Sequence, residues 1–143
     1  MYISDEKLYE QLKISVRYLL AAIFTAFFGA VYEHFGRGVW SAYMVYAFAV
    51  PLVLGALPSM LHAVHMLGAL MHEGKAAEIS TFTRFAWGTG IAALTAGSIF
   101  KGVLDIYGTT NSLTAVYPAI GGSMLAAAAV SVLLNRCRAE ETC

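Results

Sequence analysis

Apolar residues form four long runs along the chain, and most charged residues lie between these runs. Each run holds about 18 to 23 residues, close to the roughly 20 that a helix needs to cross a bilayer. A segment in hydrocarbon must satisfy its own backbone, which favours helices, and the alternating pattern of a membrane β-barrel is absent. The pattern therefore predicts an all-α integral membrane protein with transmembrane helices at 18–35, 39–60, 85–107 and 113–135.

Composition supports the same class, because 59% of the residues are hydrophobic and 13% are charged, with a mean hydropathy of +0.66. A soluble domain carries about twice that share of charge. No linker divides the chain, which predicts one membrane domain, 1–143, with the lipid bilayer as its main partner. The formal net charge is zero and no basic cluster occurs, so no nucleic acid is expected as a partner.

The segments that flank the runs predict two further features. Segment 1–17 mixes charged and apolar residues, which predicts a short amphipathic helix that lies on the inner membrane surface before the chain turns into the first span. A cleaved signal peptide is not expected, so the first span should remain. The second run continues to Met71 and is longer than the hydrocarbon core is thick. We therefore expect Pro51 and Pro58 to bend it, and we expect 61–84 to form a cytoplasmic extension and loop.

Basic residues predict the orientation of the four spans. Seven of them fall on one side: Lys7, Lys13, Arg17, Lys75, Arg84, Arg136 and Arg138. Only Arg37 falls in a loop on the other side. The positive-inside rule then places both termini in the cytoplasm of a multi-pass protein of the cell (plasma) membrane, the inner membrane in a bacterium. Cys137 and Cys143 follow the last span and are expected to be free thiols.

Two apolar runs end in similar sequences. FFGAVYEHFG, from Phe27 to Gly36, aligns with IFKGVLDIYG, from Ile99 to Gly108, and pairs Glu33 with Asp105. A tandem repeat of two-helix units is one interpretation, and chance similarity between apolar segments is the other. If the repeat is real, its symmetry places the two acids at a similar depth near the outer surface.

These acids predict a ligand site at the outer ends of the first and third spans. Lys101 lies one turn before Asp105, where an ammonium is costly in hydrocarbon unless it is paired or hydrated. Glu33 and Asp105 would attract a small cation or cationic solute. Further candidate ligands beside them are His34, Tyr32 and Tyr107. The alternative is a buried ion-pair network that only fixes the helix register.

Histidines suggest a weaker candidate site. His62 and His65 share one face of a helix with His72, but the third ligand of a firm metal motif is missing. Imidazoles at the inner membrane interface are the favoured interpretation. A haem held by His62 or His65 from two copies of the chain is the alternative, and the sequence assigns no cofactor.

Small residues predict close helix contacts in the four-helix bundle, or the face of a homodimer, at Gly121 to Ser123 and at Ala22, Ala26 and Ala30. No catalytic motif occurs, so an enzyme is not expected. The leading hypothesis is a transporter or channel with an outer acidic site. The alternatives are a non-catalytic membrane subunit of a larger transport or redox complex, and a membrane haem or redox protein.

Overall fold

The computed structural model describes residues 2–36, 41–71 and 79–141, which are helical apart from short turns and contain no strand. The α-helices are α1 (Tyr2–Phe35), α2 (Ala42–Val45), α3 (Leu57–Met71), α4 (Thr81–Ile106) and α5 (Val116–Glu141). Shorter elements join them: the 3₁₀ turns Tyr46–Phe48 and Ser112–Ala115 and a π-helical stretch at Pro51–Ala56.

Among the residues that the structure describes, four segments are long and apolar enough to cross a membrane: Asp5–Phe35, Ala42–Gly68, Thr81–Ile106 and Ser112–Asn135. The predicted all-helical fold with four membrane-spanning candidates is therefore confirmed. We call Ala42–Gly68 the second span, because α2, the first 3₁₀ turn, the π-helix and most of α3 form one helical path.

The first helix differs from the prediction at its start. A turn was expected between the amphipathic segment 1–17 and the first span, but α1 is continuous through Arg17 and Tyr18. Its sequence has no proline, and its first glycine is Gly29, so nothing interrupts the helical hydrogen bonds at that point. At about 1.5 Å per residue such a helix is longer than a bilayer core is thick.

The second span contains the irregularity that its prolines predict. The helix passes from a 3₁₀ turn into a π-helix that begins at Pro51, and it returns to α-helix at Leu57. Pro58 has no N–H for the carbonyl of Leu54, four residues earlier. Trp87 in α4 donates its indole N–H to that oxygen at 2.7 Å. A side chain of the neighbouring helix therefore satisfies the carbonyl that the proline leaves free.

The helices pack in sequence order around small residues. α1 packs against the second span, α4 packs against the second span and α5, and α5 packs mainly against α4. Gly90 and Gly121 make the contact between α4 and α5 close, since the Cβ position of each lies 3.0 Å from the carbonyl oxygen of the other. The close helix contact that the small residues at Gly121 predict is therefore made between two helices of the same chain.

Met44 joins three helices near one end of the bundle. It is 1% exposed, and its backbone carbonyl oxygen lies 3.0 Å from the Cβ position of Gly29 in α1. On the other side, its backbone nitrogen lies 2.9 Å from the Cβ position of Gly102 in α4. The start of the second span is therefore wedged between α1 and α4 where only glycine leaves enough room.

α4 ends in a glycine cap. Gly108 has φ +67°, a conformation that side chains with a Cβ rarely adopt. The N–H of Gly108 donates to Asp105 O at 3.1 Å, and the N–H of Thr109 donates to Leu104 O at 3.0 Å, which is the Schellman pattern. This cap fixes the last turn of α4, which carries Asp105 and precedes Tyr107.

Candidate functional site

The helix ends that carry the two predicted acids lie together. We call this region, which holds Glu33 and Asp105, the acidic end of the bundle, and we call the opposite region, which holds Arg17 and Arg84, the basic end. The side chains of Tyr32 and Tyr107 lie near one another. Nearby, the Cβ position of Gly36 lies 3.6 Å from Ile106 Cγ2. Residues about seventy positions apart in the chain thus meet at the acidic end.

Asp105 is tied to the start of the second span. Ser41 Oγ donates to Asp105 Oδ2 at 3.1 Å. Ser41 is 2% exposed, whereas Asp105 lies on the surface of the chain. Ser41 precedes α2, but its hydroxyl makes no cap hydrogen bond to that helix. The hydroxyl donates to the Asp105 carboxylate instead.

Lys101 has a neighbour that the sequence did not predict. Its ammonium lies 4.2 Å from the centroid of the Tyr43 ring, a cation–π contact with the second span, and the side chain is exposed. The predicted helical pair with Asp105 has the less favourable order, because an acid stabilises such a pair better when it precedes the lysine. The charge of Lys101 therefore has a partner other than Asp105.

Of the two acids, Glu33 is the more buried. Its side chain is partly buried, and Oε1 is fully buried with no hydrogen-bond partner among the described residues. Glu33 lies on the same face of α1 as Gly29 and Thr25, which is 5% exposed, and this face points into the bundle. Thr25 Oγ1 donates to Ala21 O at 2.7 Å, so its hydroxyl proton is already used. A buried carboxylate oxygen without a partner is costly unless a proton or a cation satisfies it.

The histidines lie in different surroundings. His34 is exposed beside Glu33, with its ring 5.5 Å from that of Phe35. His62 is partly buried, whereas His65 is exposed. Within 2–36, 41–71 and 79–141, no group of three or more side chains from His, Cys, Asp and Glu could hold a metal ion. His72 lies outside the described residues.

A cavity of about 570 Å³ lies toward the basic end, and sequence reasoning did not predict it. Its lining residues come from all four spans and the segment before α4: Gln11, Ile14, Arg17, Tyr18, Ala21, Gly55, Pro58, Ser59, His62, Ile79, Thr83, Arg84, Trp87 and Val132. A signal was available, since Arg17 and Arg84 each stand at the edge of an apolar run with an aromatic residue within one turn. The helix pairing that joins them is not visible in hydrophobic periodicity.

Hydrogen bonds hold the polar part of this cavity. Arg84 Nη2 donates to Gln11 Oε1 at 3.2 Å, and Gln11 is 4% exposed. The Oγ atoms of Thr83 and Ser131 lie 2.9 Å apart and connect α4 to α5. The cavity wall is therefore cross-linked between helices.

Compared with protein families, curated proteins and solved structures, the chain matches none of them.

Proposed function

We propose that this protein is a small transporter or channel with an outward-facing acidic site for a small cation or cationic solute. The observation that carries the proposal is the buried Oε1 of Glu33, which has no hydrogen-bond partner among the described residues. Buried carboxylates in membrane proteins mark ion pathways and proton relays, because the cost of burying the charge must be offset by a ligand.

The surroundings of Glu33 suit a hard cation. The acidic end also carries the Asp105 carboxylate, which is bonded to Ser41, and the Tyr32 and Tyr107 hydroxyls. Carboxylate and neutral oxygens are the ligands that such cations prefer.

A binding experiment tests the site. The thermal unfolding of purified protein is followed while N-methylglucamine chloride is replaced by sodium, potassium or magnesium chloride at constant ionic strength. We expect at least one of these cations to raise the unfolding temperature of the wild type and of Glu6→Gln, an exposed acid on the same helix. Glu33→Gln should lose that response, because the amide keeps the shape and removes the charge. An equal response in Glu33→Gln and the wild type would overturn the cation site, as would no response in the wild type.

The proposed orientation places the acidic end outside and both termini in the cytoplasm. It rests on the distribution of basic residues. In a Cys137→Ser, Cys143→Ser background, a membrane-impermeant maleimide applied to whole cells should label Thr110→Cys and spare Ser80→Cys. Both positions are exposed in the described structure. The opposite labelling pattern would reverse the orientation.

A further inference from the structure

We infer that the cavity at the basic end binds an anionic amphiphile, a molecule with a phosphate or carboxylate head and an apolar tail. The cavity volume of about 570 Å³ falls within the range of small-molecule sites. The inference is independent of the cation site proposed above, since the cavity shares no residue with the acidic end.

The charge of the lining selects an anion. Arg17 and Arg84 line the cavity, and none of its lining residues is acidic. Glu10, a nearby carboxylate on α1, pairs with Lys13 at 2.9 Å and lies outside the lining. The structure shows no hydrogen bond from Arg17 to the described residues, so its guanidinium donors are available. Two guanidinium groups suit a phosphate or carboxylate, which they bind through charge-assisted hydrogen bonds.

A hydrogen bond already positions one of the side chains that would bind the head group. Gln11 is 4% exposed, and its side-chain oxygen accepts a hydrogen bond from Arg84, which restrains the guanidinium beside the cavity. The Gln11 amide nitrogen remains as a neutral donor. A head group would thus meet a positioned arginine, an available arginine and an amide donor. Such preordering lowers the entropic cost of binding.

The rest of the lining suits an apolar tail. Ile14, Tyr18, Ala21 and Val132 contribute mostly hydrocarbon surface, and Trp87 is held in place by its bond to Leu54 O. In the proposed orientation, the basic end lies at the level of the cytoplasmic head groups. The amphiphile then has two sources, a phospholipid of the inner leaflet or a free amphiphile from the cytoplasm.

The probe is dodecyl phosphate, titrated below its micelle concentration into protein in phosphatidylcholine nanodiscs. A Trp40→Phe background leaves Trp87 as the single tryptophan, because the chain has two. Its fluorescence should change saturably with dodecyl phosphate, and neither dodecyltrimethylammonium nor inorganic phosphate alone should match that affinity. Equal affinity for the cationic amphiphile would overturn the inference, and so would the lack of a saturable change.

Pairs of variants, one inside the cavity and one outside it, test whether dodecyl phosphate binds there. Arg17→Gln should weaken dodecyl phosphate binding by about 10- to 100-fold, the usual effect of losing a hydrogen bond to a charged group. Lys7→Gln removes the same charge from the same helix outside the cavity and should leave binding unchanged. Ala21→Leu should fill the cavity and block binding, whereas Ala26→Leu, an exposed position outside the lining, should not. If both variants of a pair lose the same dodecyl phosphate affinity, the probe does not bind in this cavity.

Addition of phosphatidylglycerol to the nanodiscs distinguishes the two sources of the bound amphiphile, a phospholipid of the membrane and a free amphiphile. Competition with dodecyl phosphate supports a membrane phospholipid as the occupant. Unchanged dodecyl phosphate affinity supports a free amphiphile in the same cavity.

Discussion

Substitution of Gly102 by alanine tests the wedge that Met44 forms between α1 and α4. The added Cβ would lie 2.9 Å from Met44 N and Cβ and 3.1 Å from Met44 Cα. Ordinary contacts between carbon atoms are about 3.5 to 4.0 Å, so α4 and the second span must separate by roughly 0.6 Å or more. Two of the three contacted atoms belong to the backbone and cannot move by a change of rotamer. Overpacking of this kind costs about 1 to 3 kcal/mol.

Gly122→Ala is the matched control. Its Cβ position has no heavy atom within 4 Å, so alanine fits there freely. Both substitutions gain about 0.5 to 1 kcal/mol from the better helix propensity of alanine, and this gain cancels when the variants are compared. The expected difference in the free energy of unfolding is therefore the overpacking cost alone, about 1 to 3 kcal/mol, with Gly122→Ala the more stable.

The assay is unfolding in mixed micelles with a rising mole fraction of sodium dodecyl sulfate, followed by circular dichroism and tryptophan fluorescence. Gly102→Ala should unfold at a lower fraction than the wild type or close to it, and Gly122→Ala at a higher one. Equal stability of Gly102→Ala and Gly122→Ala would show that the helices are not in close contact at Met44.

Two further substitutions test single hydrogen bonds in the same unfolding assay. Trp87→Phe leaves Leu54 O without its donor and should destabilise the protein by about 1 to 2 kcal/mol; stability equal to wild type would contradict that role. Asp105→Asn keeps an oxygen acceptor for Ser41 and leaves Lys101 on its aromatic partner, so it should cost less than about 1 kcal/mol. A loss of about 3 kcal/mol or more would instead indicate that the aspartate holds the ammonium as a buried ion pair.

The four spans were predictable from the sequence because hydrocarbon imposes one requirement on every segment that crosses it. A run of about 20 apolar residues must become a helix, whatever surrounds it. The irregularity at Pro51 was predictable for a similar reason, since a missing backbone donor acts locally. The predicted break near Arg17 was wrong, because a change in polarity along a helix does not end it unless the backbone is also interrupted.

The candidate site was predictable only in part. The acids were found because charge is rare in apolar runs, and the structure brings the helix ends that carry them together. The contact of Lys101 with Tyr43 was not predicted, since it depends on how the second span packs against α4. The cavity was missed for the same reason, because Arg17 and Arg84 meet only through tertiary packing. The tandem repeat and the homodimer stay predictions.

Uptake of radioactive rubidium and sodium into proteoliposomes tests the central claim most directly. With the wild type, uptake of at least one of these cations should exceed that of protein-free vesicles, and it should fall to the protein-free level in Glu33→Gln. Glu6→Gln should transport as the wild type does. Equal uptake by Glu33→Gln and the wild type, or wild-type uptake no greater than that of protein-free vesicles, would contradict a cation pathway through the acidic end.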